Sequence, residues 1–185
     1  MLKRVAYVYK WATMGGVERV LLNRAEAFKA RKSDVSISVH FLQDAGGRAP
    51  FETYIKRRGL TDYIQVEDSL DPNDVDAVVS IDTPEVLELL PARFDRLAFE
   101  CHTTYKNNRQ YLKTLPASVR WIAVPSESFH KTVAREFGEF GGRLCLLRNF
   151  LPEVEPLDHP IKAPAWAKRP IVYVGRVDHQ KNLTE

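Results

Sequence analysis

The chain has 185 residues, with 27 Lys and Arg against 24 Asp and Glu and a formal net charge of +3. Its basic residues are interleaved with acids, which argues against nucleic acid as a partner while permitting an anionic substrate or an anionic surface. With 44% hydrophobic and 28% charged residues the composition is that of a folded globular chain, and no apolar run approaches the roughly 20 residues a membrane helix requires.

Val5-Ala6-Tyr7-Val8-Tyr9 reads as a strand. Beyond Met14-Gly15-Gly16, the residues Val17, Val20, Leu21, Leu22, Ala25 and Phe28 lay an apolar stripe along a helix. Two glycines at a helix start let a ligand approach bare backbone amides, where the helix dipole favours negative charge, above all phosphate. The competing reading is a tight turn that only lets the helix pack on its strand. The turn is not a dinucleotide fingerprint, because no G-x-G-x-x-G is present.

Val35 to Leu42 alternates as a strand, Gln43 to Ala49 is a loop, and a short helix from Pro50 turns Phe51, Tyr54 and Ile55 inward before closing at Gly59. Tyr63 to Val66 is a short edge strand and Ala77 to Ile81 a buried one. Thr83-Pro84-Glu85 has the pattern of an N-cap, a proline at the first helical position and an acid in the first turn. Leu97 to Glu100 is the next strand, followed by a helix around Asn107 to Leu115. Trp121 to Val124 is a strand, Ser126 caps a helix reaching Phe137, and Leu144 to Leu147 is the last strand of the set.

Strands alternating with helices predict an α/β fold, a Rossmann-like doubly wound and mostly parallel sheet, whose ligands bind beyond the carboxyl ends of the strands. Gly15-Gly16, Asp82, His102, Ser126 and Asn149 all follow strands and so collect at one edge. Residues 1–150 are expected to form this domain. Five prolines between Leu151 and Pro170 predict an extended linker over 151–170. Ile171 to Val174 then starts a fresh strand, and 171–185 reads as the beginning of a second domain.

His102 follows Glu100 by two positions, so in extended geometry both side chains share a face while Cys101 points away. That disfavours a Cys–His nucleophilic pair and leaves a histidine assisted by a carboxylate, or a strand-end histidine bonded to a loop carbonyl. Cys101 and Cys145 make no disulfide framework and suit a reducing compartment. No Cys/His spacing has the form of a zinc site, and no metal is expected. Arg176 and Lys181, five positions apart after a strand, have the chemistry to grip a diphosphate. Arg31-Lys32 and Lys56-Arg57-Arg58 end helices, where they offset the dipole; a membrane-facing patch is the sharper reading. Met1 to Arg4 leads directly into a core strand, so no signal peptide is expected and the protein is read as cytoplasmic, with a peripheral contact at the inner face of the membrane.

Taken in order, Gly15-Gly16-Val17-Glu18, Ser126-Glu127, Asn149 and Gly175-Arg176-x-x-x-x-Lys181 resemble the motifs of the large family-4 type of retaining glycosyltransferase, which includes phosphatidylinositol mannosyltransferases and lipopolysaccharide and capsule sugar transferases. The resemblance spans nearly the whole chain and implies a GT-B fold, in which a nucleotide sugar lies between two Rossmann-like domains. It implies that Gly15 and Gly16 approach the donor phosphate or the acceptor, and that His102 is the catalytic residue, contacting the donor sugar. Arg176 with Lys181 would hold the diphosphate, and Asn149 belongs to the same donor-binding set. No cofactor is implied beyond the nucleotide-sugar donor, and the acceptor would be a glycan or a lipid-linked sugar. The family's Pro-Asn-Gly reads Arg148-Asn149-Phe150 here, and its Glu-rich donor motif has no counterpart within the 185 residues. The chain is therefore expected to be the N-terminal part of such an enzyme, inactive without its C-terminal domain. The alternative is a non-catalytic module that oligomerises through the strand at 171–174.

Overall fold

A computed structural model describes residues 3–138 and 140–149. The linker expected at 151–170, the strand at 171–174, Arg176 and Lys181 lie outside the described residues. Seven strands form a single sheet in the order β3-β2-β1-β4-β5-β6-β7, with every pairing parallel. They are β1 (Arg4–Ala12), β2 (Ser36–Asp44), β3 (Ile64–Val66), β4 (Ala77–Ile81), β5 (Leu97–Glu100), β6 (Trp121–Val124) and β7 (Leu144–Leu146). Among the described residues the helices are α1 (Gly16–Ala30), α2 (Arg48–Arg58), α3 (Val86–Leu89) and α4 (Glu127–Phe137), with 3-10 helices at Asn107–Thr114 and Phe140–Gly142.

Alternation along each strand feeds two cores. Tyr7 and Tyr9 of β1, Ile37 and Val39 of β2 and Ile81 of β4 pack with Leu21, Leu22 and Ala25 of α1 and Phe51 and Ile55 of α2. Ala6, Val8, Val78, Phe99, Ile122 and Val124 point the other way, onto Leu112, Phe129 and Val133. Helices on both faces of a parallel sheet explain why β4 to β6 read as short apolar runs. The fold is the expected α/β, Rossmann-like doubly wound one, and the sheet is parallel throughout rather than mostly so.

The strand order decides where a ligand can sit. From β1 the chain winds one way to β2 and β3, then crosses back to β4 on the other side of β1. The connections leaving β1 and β4 diverge at that switch point and open a crevice at the carboxyl edge of the sheet.

Three local readings need correction. Thr83 does not cap a helix: its hydroxyl donates back to the Ile81 carbonyl at 2.7 Å, and α3 is a single turn starting at Val86. Buried behind β4, Thr83 satisfies a strand-end carbonyl instead of a helix amide. The segment after β5 is a 3-10 helix because its inward residues Arg109, Leu112 and Leu115 recur every three positions, which eclipses them on one side. In α1, Val17, Val20 and Phe28 are only half-buried, while the polar Glu18, Asn23 and Arg24 are buried.

Gly47 and Gly59 answer to backbone demands. A Cβ on Gly47 would lie 2.4 to 2.6 Å from the backbone of Ala12 and Thr13, so the start of α2 presses against the end of β1 only because that position has no side chain. Gly59 closes α2 in the left-handed conformation, with φ 59°.

Candidate functional site

Three connections meet at the switch point: those after β1, β4 and β5. Asp82, the residue after β4, takes φ 46°, a left-handed conformation that costs a non-glycine residue free energy and recurs at functional sites. Its carboxylate accepts the backbone N–H of His102 and the Tyr111 hydroxyl, both at 3.0 Å. Burial pushes the Asp82 carboxyl above its ordinary value, outweighing the contributions of His102 and Tyr111 that lower it. The carboxylate thus ties the loop after β5 to the turn after β4.

His102 and Glu100 share a face, as their spacing predicted, and the His102 Nε2 lies 3.0 Å from the Glu100 Oε2. The other partner of Glu100 comes from α1: the Arg24 guanidinium donates to both carboxylate oxygens, at 2.7 and 2.9 Å. Both side chains of that pair are buried, and Arg24 also stacks over the Tyr7 ring at 5.3 Å. Burial acts to raise the Glu100 carboxyl, but hydrogen bonds from His102 and Arg24 win and hold it below the usual carboxylate range. Glu100 is therefore an anion that orients one edge of the imidazole. The His102 side chain is 14% exposed, with its Nε2 turned to Glu100.

Cys101 points into the opposite core, and burial pushes its thiol up to about 12. At neutral pH it stays protonated and is no nucleophile. His40 is buried with Ser38 Oγ 3.3 Å and Glu67 Oε2 3.7 Å from its Nε2. Both partners meet the same ring nitrogen, which is not the arrangement of a proton relay, where base and orienting acid use different nitrogens.

Gly15 and Gly16 are exposed at the same edge as His102. The turn differs from an empty anion cradle in one respect. The carboxylate of Glu18, wholly buried, accepts the N–H groups of Thr13 and Gly15 and the Thr13 hydroxyl. This is the reciprocal half of a capping box, with the acid at the third helical position. A negative charge already sits at the end of the helix, and the early amides left without an intrahelical acceptor are those of Gly16, Val17 and Glu18. A Cβ on Gly16 would meet nothing within 4 Å, so nothing packs against the side-chain position of that residue.

Asn149 follows β7 on the same edge, exposed, next to Arg148, which pairs with Glu127. Four strand spacings, about 19 Å, separate β7 from β1, whereas β5 and His102 are about 10 Å away. Asn149 is thus on the right edge but not at the switch point. Ser126 caps α4 by accepting the Phe129 N–H at 3.2 Å, a structural role. Arg24, Asp82 and Tyr111 complete a network around His102 that the sequence reading did not assemble.

Beside the network lies a cleft of about 520 Å³, lined from β1 by Tyr9, Lys10 and Trp11 and from the connections after β4 and β5 by residues that include Asp82, Asn107 and Tyr111. The fold is that of a Rossmann-like doubly wound domain, with a cleft beside its topological switch point. No protein-family model matches the chain, and no curated protein matches it.

Proposed function

We propose that the chain is the N-terminal, acceptor-side part of a glycosyltransferase that moves a sugar from a nucleotide-sugar donor to a glycan or lipid-linked acceptor. The observation that carries this reading is His102, just beyond the carboxyl end of β5, whose ring is oriented by the Arg24-paired Glu100 and whose backbone is held by Asp82. As the glycosidic bond to phosphate breaks, negative charge grows on the leaving diphosphate and positive charge on the sugar. A fixed imidazole beside a carboxylate is suited to bonding a hydroxyl of that sugar, because its orientation is set before the substrate arrives.

The diphosphate needs cations. Glu18 already occupies part of the glycine turn, so Gly15 and Gly16 serve close backbone approach more than charge neutralisation. The larger share falls to Arg176 and Lys181, which follow the 171–174 segment in sequence. A second domain that carries the donor nucleotide is part of the same proposal, as is a cytoplasmic location. Exposed Arg31, Lys32, Lys56, Arg57 and Arg58 end α1 and α2, which the Lys29 ammonium ties together by donating to the Arg58 carbonyl at 2.8 Å. That patch favours peripheral contact with an anionic membrane surface.

The test is a radiolabelled transfer assay on the chain alone and on a fusion to the donor domain of a family-4 enzyme, with UDP-glucose, UDP-N-acetylglucosamine and GDP-mannose. Transfer is expected only from the fusion, and His102→Ala is expected to reduce it by about 100-fold or more. Transfer that survives His102→Ala unchanged contradicts the assignment.

A further inference from the structure

We propose that the cleft between the ends of β1, β4 and β5 binds a neutral pyranose ring, the terminal sugar of the acceptor. The word acceptor rests on the glycosyl-transfer reading; the ligand class rests on the cleft itself. At about 520 Å³ it lies in the size range of small-molecule sites. Its lining combines one exposed indole with short polar groups. Trp11 is 42% exposed, an unusual position for the largest side chain, and it lines the cleft with Asp82, Asn107 and Asn108 around it.

The charges select among ligands. Among the described residues, Lys10 is the one cation in the lining; it is paired with Glu85 and also lies over the Trp11 ring. Asp82 supplies a further carboxyl, so among the described residues a phosphate here would meet acidic groups and no uncompensated cation. A diphosphate is disfavoured on that ground. A pyranose fits better. It has an apolar C–H face to lay on the indole and a rim of hydroxyls, each able to donate and accept, to meet the two amides and the Thr103 hydroxyl. The 3-10 helix sets both amides, because Asn107 and Asn108 are its first residues and Tyr111, one turn on, is held by Asp82. The lipid-linked alternative narrows accordingly: a lipid diphosphate would have to present its sugar here and leave its phosphates outside.

Saturation-transfer NMR on the 185-residue chain provides the test, with methyl α-D-glucopyranoside, methyl α-D-mannopyranoside, methyl β-D-galactopyranoside, N-acetylglucosamine and L-rhamnose as probes and sodium pyrophosphate as competitor. At least one pyranoside is expected to receive saturation, to bind about tenfold more weakly to Trp11→Ala, and to be untouched by pyrophosphate. Asn107→Ala is expected to weaken it as well, and both residues are exposed, so circular dichroism should match the unsubstituted protein. No signal from any of the five sugars, an unchanged signal in Trp11→Ala, or displacement by pyrophosphate overturns the assignment. Sugar binding at Trp11 supports it even if the fused enzyme transfers nothing, an outcome that would sink the enzymatic reading alone. Transfer by the fusion without pyranoside binding at Trp11 would overturn this inference and spare the enzyme.

Discussion

Replacing Arg24 by Met tests whether the network around His102 is held by charge. Arg24 and Glu100 keep side-chain exposures of 9% and 4%, so the substitution strands a buried carboxylate whose remaining partner is His102. Removing one member of a buried pair costs about 3–5 kcal/mol. Because His102 still faces Glu100, the lower figure, about 3 kcal/mol, is expected, or roughly 6–12 °C in melting temperature for a domain of this size. The sign with pH follows from Glu100. In the unsubstituted protein its folded-state value is depressed, so its contribution is full above the ordinary glutamate range and is lost as pH falls through the lower folded value. Without Arg24 part of what opposes burial is lost and the carboxyl moves up relative to the unsubstituted protein, so the penalty is expected at neutral pH and relieved on acidification. The stability gap between the two proteins should be widest at pH ~7 and shrink toward pH ~4. Urea denaturation followed by circular dichroism at both pH values measures it, and Arg24→Met/Glu100→Gln should recover most of the loss. A gap below about 1 kcal/mol, or one that does not change with pH, refutes the reasoning.

Gly16→Ala should leave stability unchanged or raise it by up to about 1 kcal/mol, because the new methyl group meets open space and alanine favours the helix. Gly47→Ala should cost about 2 kcal/mol or more by thermal melting, since its Cβ collides with the backbone of Ala12 and Thr13. Glu18→Ala leaves the Thr13 and Gly15 amides unsatisfied and should cost about 1–3 kcal/mol, with faster hydrogen exchange at Gly15. Asp82→Asn should be neutral or stabilising at pH 7, because an amide tolerates the positive φ, can serve both His102 and Tyr111, and removes a carboxylate that burial penalises. Asp82→Ala, by contrast, should lose about 2 kcal/mol in a urea melt.

The parts of the fold that could be read were those decided locally. β4, β5 and β6 are apolar runs between turn residues, and their bounds emerged at Ala77–Ile81, Leu97–Glu100 and Trp121–Val124. Ser126 signalled α4 because a cap is a contact three residues long. β1 runs on to Ala12 because Trp11 and Ala12 continue its pairing, set against Gln43 and Asp44 of β2, although the stretch after Tyr9 does not look like a strand core. Strand order had no local signal, so the switch point became visible only in the folded sheet.

The candidate site divides along the same line. The shared face of Glu100 and His102 follows from a spacing of two along a strand and is confirmed by their 3.0 Å contact. Arg24 hid in a helix judged by its apolar positions, and its partner is 76 residues away. Glu18 could have been found, since an acid three positions after a helix cap is a local pattern. Asp82 stood out only as a polar residue after a strand; its positive φ and its grip on Tyr111 depend on tertiary structure.

The central claim is that the glycine turn and His102 face a shared donor site. Titrating the isotope-labelled chain with UDP-glucose and GDP-mannose, while following the Gly15 and Gly16 amides and the His102 ring by NMR, tests it most directly. Coupled shifts at all three positions, weakened together by Glu100→Gln, are the predicted result. Shifts confined to other parts of the surface, or none at concentrations that saturate a millimolar site, would contradict it.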